Sequence, residues 1–137
     1  MSNGDIQKVL QKYMPAEAVA VCTEWIVQLN IHLRITKSRA SKYGDYRPHP
    51  ERNGHIITVN HDLNPYSFLL TFIHEVAHLV CEKKYNRFIS PHGKEWKREF
   101  DVLLHFFLAR NLFPADITSA LEEYTRNPAA SSCSDER

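Results

Sequence analysis

The segment FIHEVAHLV, residues 72–80, sets two imidazoles and a carboxylate into an otherwise apolar run. Burying such groups without partners costs several kcal/mol, so the run demands something that satisfies them. It lies inside a stretch, 64–86, that reads as one long helix with Asn64 as its cap and Pro65 at the first helical position. On a helix, four residues rise about 6 Å and nearly complete a turn. His74 and His78 therefore project from one face and can share a single ion. Glu75 falls about 100° further round, where it can reach a water on that ion without being a ligand.

Zinc takes imidazole nitrogen at about 2.0–2.1 Å, and a catalytic site uses three protein ligands with a fourth position left for water. The third ligand has to come from outside this helical turn. His32, His49, His55, His61, His92, His105 and Cys81 are the available side chains. Cys81 shares the helix face but lies about 10 Å along the axis from His74, too far for one ion. His92 is the best placed, because it follows the first helix by a short connection (83–91) and opens the next one. His61, at the end of a strand, and His105, within a helix of Leu and Phe that suits a core histidine, are the runners-up. Gly93, beside His92, weakens a helix by about 1 kcal/mol relative to alanine, and a close backbone approach there would explain it.

The rest of the chain reads as α+β. Residues 5–13 suggest a short helix, and 15–30 a longer one opened by Pro15, with Val19, Cys22, Ile26 and Leu29 as its core face. Residues 31–38 alternate Ile31, Leu33 and Ile35 with polar neighbours, the period of a half-buried strand. Gly44 marks a turn within 42–48, and Asn53-Gly54 a turn before the β-branched strand 55–60. These segments predict a small three-stranded antiparallel sheet. Residues 90–111, capped by Ser90, and 115–125 complete the helices. One domain over 1–126 with a polar tail, 127–137, is the expected organisation.

The chain has 137 residues, 43% of them hydrophobic, enough for one domain with a core. It contains no apolar run near the roughly 20 residues that span a bilayer, and its start has no secretory pattern. Three dispersed cysteines without a CxxC pair suit a reduced, cytoplasmic protein, and Cys22 and Cys81 read as small core residues. Net charge is +1 but uneven. Residues 34–52 hold six Lys/Arg against two acids, and 83–98 hold six against one. That asymmetry suits an anionic partner or an ordinary solvated surface.

HEVAH, thirteen residues, then HGKEW resembles the SprT-like zinc metalloproteases, the family of the Spartan DNA–protein-crosslink proteases; SRASKYGDYRP and ITVNHDLNP add to the likeness. The resemblance spans about 15–126. It implies a zincin-like fold, with the sheet and further helices packed against the HExxH helix. It also implies Zn2+ held by His74, His78 and His92, Glu75 as general base, and Trp96 as a packing anchor. The implied activity is hydrolysis of polypeptides by a metal-activated water, on DNA-associated proteins, with DNA as a partner through Lys37, Arg39, Lys42, Arg47 and the basic residues around 83–98. Tyr43 and Tyr46 are candidate oxyanion donors, although a structural role suits each better. By analogy, substrate would pair with strand 55–60 as a sheet edge. Many members continue into a cysteine-rich zinc ribbon, for which this chain offers only Cys133. The competing reading is a non-catalytic nucleic-acid- or protein-binding module with a structural zinc.

Overall fold

The computed structural model describes residues 2–50, 53–85 and 91–126. It contains helices α1 (Asn3–Gln11) and α2 (Ala16–Gln28), strands β1 (Ile31–Thr36), β2 (Gly44–Pro48) and β3 (His55–Asn60), and helices α3 (Pro65–Tyr85), α4 (Lys94–Leu108) and α5 (Ala115–Arg126). Helix α3 is the axis of the core. Phe68, Leu69, Phe72, Ile73, Val76, Ala77 and Leu79 are all buried, because α4 covers one side and β2 and β3 another. Tyr13 of the α1–α2 connection stacks on Phe68 at 5.2 Å, and Trp25 of α2 meets Phe107 of α4 edge-on at 5.5 Å.

The helix starts follow their capping chemistry. Asn64 Oδ1 accepts from the Tyr66 and Ser67 amides at 3.0 Å, as expected for the α3 cap. Ser2 and Asp5 form a reciprocal capping box on α1. Pro15 precedes α2 as its N-cap instead of opening its first turn. Helix α4 starts at Lys94, with Gly93 as an extended N-cap, so His92 sits in the turn before the helix and not in its first turn. The proposed cap at Ser90 lies outside the described residues.

The sheet is mixed, which corrects the antiparallel expectation. Its order is β1-β3-β2, with β1 parallel and β2 antiparallel to β3. The last strand in sequence is thus the central one, so 55–60 is not an edge. The physical reason is its composition. Ile56, Ile57, Thr58, Val59 and Asn60 are buried on both faces, the near-continuous run of a strand covered on both sides, which suits the interior of a sheet better than an edge. Alternation in β1 showed which side chains face inward but not which strand would lie beside it.

A polar network fixes the 37–43 connection to the sheet. Asn60 accepts from Arg39 Nε at 2.7 Å and donates to the Lys42 carbonyl at 2.9 Å. Lys42 Nζ and Thr58 Oγ1 donate to the Asp45 carboxylate at 2.6 and 2.7 Å, and Arg39 lies 3.7 Å from it. Burial pushes the Asp45 carboxyl up, but these hydrogen bonds and the two cations outweigh it and hold the group below the usual carboxylate range. Gly44 is a strand residue, not a turn. A Cβ there would stand 2.5 Å from the Thr58 carbonyl oxygen, 2.8 Å from Thr71 Cγ2 and 3.6 Å from Glu75 Cγ. Glycine lets the sheet approach α3 at the turn that carries Glu75.

Two outcomes follow from this packing. Gly44→Ala is expected to lower stability by about 1–3 kcal/mol in urea unfolding, because its methyl meets backbone that cannot yield cheaply. For Asp45, a depressed folded-state pKa contributes stability above the unfolded value and loses it as pH falls through the folded one. Asp45→Asn is therefore expected to be less stable than wild type at neutral pH, with the gap closing below about pH 4.

Candidate metal centre

Helix α3 buries His74, Glu75 and His78 together, on two of its faces. The histidines face the start of α4. Glu75 sits about 100° round, against β2 at Gly44. His92 completes the cluster from the turn before α4. Its Nε2 lies 3.2 Å from His74 Nε2 and 2.8 Å from His78 Nε2. The three potential ligand atoms all fall within 4.8 Å of one another, and among the described residues no other His, Cys, Asp or Glu group forms such a cluster.

His92 reaches this position through a backbone that few residues adopt. Its φ is 62°, in the left-handed region, where histidine is tolerated better than most non-glycine residues. That turn directs a side chain preceding α4 back onto α3. The strain is local, and the convergence of imidazoles is what it accompanies.

The donor set fits a cation. Each neutral imidazole carries one N–H and one lone pair, so three nitrogens aimed at one point cannot all be satisfied by each other's protons. A shared metal ion accepts a lone pair from each. Nitrogens bound to one tetrahedral zinc stand about 3.3 Å apart. The 3.2 Å pair already has this spacing, and the 2.8 Å pair needs to open by about half an ångström.

Aromatic side chains close the α4 side. The Trp96 ring centroid lies 4.6 Å from that of His74, 5.4 Å from His78 and 4.9 Å from His92, so one indole touches all three histidines. Its Nε1–H donates to the His74 carbonyl at 3.3 Å. Phe100, one turn further along α4, stacks on Trp96 at 5.0 Å and meets His74 at 6.0 Å. This bears out Trp96 as an anchor and adds Phe100, which the sequence reading missed; its spacing of four from Trp96 was the available signal. Lys84 of α3 and the buried Glu99 of α4 hold the two helices together at 2.9 Å, and this hydrogen bond raises the Lys84 pKa.

The other candidates are elsewhere. His61 is exposed. His105 is exposed too, with Nδ1 2.8 Å from the Asp101 carbonyl, and is not the core histidine its apolar neighbours suggested. His55 Nδ1 lies 2.9 Å from the Tyr46 hydroxyl. Burial, then the nearby Lys83 charge, lowers the His55 pKa. The His32 and His49 rings face each other at 5.1 Å. Burial, then the Glu99 and Glu95 charges, pushes the Cys81 thiol up to about 11.

Residues 27–131 match the model of the IrrE N-terminal-like domain, Peptidase_M78. The chain belongs to that family. It is a metal-dependent family of the zinc-metallopeptidase type, which is the character that the HEVAH and HGKEW segments also suggested. The matching family is not the SprT-like one of that resemblance. Neither the curated proteins nor the solved structures contain a significant match to the chain. No helix among the described residues is long and apolar enough to cross a membrane.

His92→Ala is expected to cut the metal retained after dialysis at least tenfold, measured by elemental analysis, with the far-ultraviolet circular dichroism of α3 and α4 preserved.

Proposed function

We propose that this chain is a zinc-dependent metallopeptidase, with His74, His78 and His92 as ligands and Glu75 as general base. The observation that carries the reading is the convergence of three imidazole nitrogens beside a buried glutamate, in a chain of a metallopeptidase family. Zinc held there would lower the pKa of a coordinated water towards about 7 and polarise a scissile carbonyl. Glu75 takes the proton of the attacking water on a carboxylate oxygen. The water oxygen bonds to the carbonyl carbon, the C–N bond breaks, and Glu75 returns the proton to the leaving amine. The indole of Trp96 and the ring of Phe100 keep bulk water from the histidine side.

The fold we infer is zincin-like, with residues 1–126 forming the peptidase domain. Substrate polypeptide extends along β2, the antiparallel edge that abuts Glu75 at Gly44, in place of the central strand 55–60. The buried thiols Cys22 and Cys81 suit a cytoplasmic, reducing setting. Association with DNA has less support from the charges. Arg39 and Lys42 are committed to Asp45 and Asn60, and Lys84 to Glu99. Lys37, Arg47, Lys83, Lys94, Lys97 and Arg98 remain exposed.

Glu75→Gln is expected to retain zinc and fold while cleavage of an unfolded protein such as casein falls by about 10³, within the range for loss of a general base. The assay is run with and without single-stranded DNA. Undiminished cleavage by the variant refutes the assigned base. A wild type that binds zinc but cuts nothing in either condition supports the structural-zinc reading. Stimulation by DNA would restore the nucleic-acid partner.

A further inference from the structure

The sheet has two edges, and the one remote from Glu75 borders a cavity. Strand β1 lies on the far side of β3 from β2, and among the described residues no strand pairs with its outer side. The His55 amide donates to the Asn30 carbonyl and the His61 amide to the Thr36 carbonyl, with β1 and β3 in continuous parallel register between them. Even-numbered residues of β1 therefore bond to β3. The main-chain groups of Ile31, Leu33 and Ile35 point away from the sheet.

A cavity of about 490 Å³ opens along this edge, between β1, α1 and the end of α2. Ile6, Val9, Val27 and Leu33 are among its apolar walls, and Val27 is 48% exposed. Arg34 stands at its margin, and among the described residues no carboxylate lines it. A volume of this size takes one or two side chains or a small ligand. Helix α1 lies before the span that matches the family, so one wall of the groove comes from outside that span and the β1 wall from within it.

We propose that this groove is a peptide-docking site, in which an extended segment of a partner polypeptide adds to the β1 edge. Three features select that occupant. Outward main-chain N–H and C=O groups of Leu33 and Ile35 call for another main chain. Apolar walls call for an aliphatic side chain, entering at every second residue of the added strand. The arginine, with no acid among the lining residues, calls for a carboxylate in the same segment. The site is separate from the proposed catalytic edge at β2, and its test does not depend on the metal.

The probe is a fluorescein-labelled hexapeptide that alternates valine with threonine and carries one glutamate. Binding is measured by anisotropy to the full chain bearing Glu75→Gln, so that cleavage does not intervene, and by amide hydrogen exchange. The peptide is expected to slow exchange at the Leu33 and Ile35 amides. Val27→Asp and Arg34→Glu, both at exposed positions, are each expected to weaken binding at least tenfold, and Arg47→Glu on the β2 edge to leave it unchanged. Absence of binding, wild-type affinity in both groove variants, or protection only at β2 amides would overturn the proposal. So would octanoate binding the groove and displacing the peptide when the peptide gives no amide protection, since the site would then serve an apolar carboxylate and not a strand.

Discussion

Three imidazole nitrogens that must face one point are the constraint to which the rest of the structure answers. Two come from one turn of α3, where their spacing is set by helix geometry. The third is brought by chain reversal, with His92 in a left-handed conformation just ahead of α4. Nothing local favours that conformation strongly. It persists because α4 is held against α3 by Trp96 under all three histidines and by the Lys84–Glu99 pair further along.

The faces of α3 divide the labour. One carries the histidines towards α4 and its aromatic rings. Another carries Glu75 towards the sheet, where Gly44 removes the side chain that would otherwise hold the strand away. The remaining apolar positions fill the core. A helix apolar nearly all round has to be buried on every side, and the small sheet, α4 and the first two helices supply that burial.

Charge in the sequence proved a poor guide to surface. The basic run over 34–52 suited either an anionic partner or an ordinary solvated surface, and within it Arg39 and Lys42 close the connection between β1 and β2 by pairing with Asp45 and Asn60. Composition counts cations without saying which ones already have anions. The same connection lets β3 lie between the two earlier strands, and this leaves two edges with different surroundings. One lies against Glu75; the other lies along an apolar cavity.

The sequence by itself determined what is periodic or local. His74, Glu75 and His78 could be grouped because helical spacing alone puts two imidazoles on one face and the carboxylate beside them. Asn64 with Pro65 marked the start of α3, and alternation in 31–36 marked a strand with its inward residues. His92 could be ranked first because a short connection limits how far it can travel. Tertiary structure decided what depends on neighbours distant in sequence: that β3 is central and parallel to β1, that Gly44 is a point of contact and not a turn, that His105 faces solvent, and that His92 turns back through a positive φ. Spacing along one element is fixed by backbone geometry. Which elements meet is fixed by the burial they achieve together, and no single segment carries that quantity.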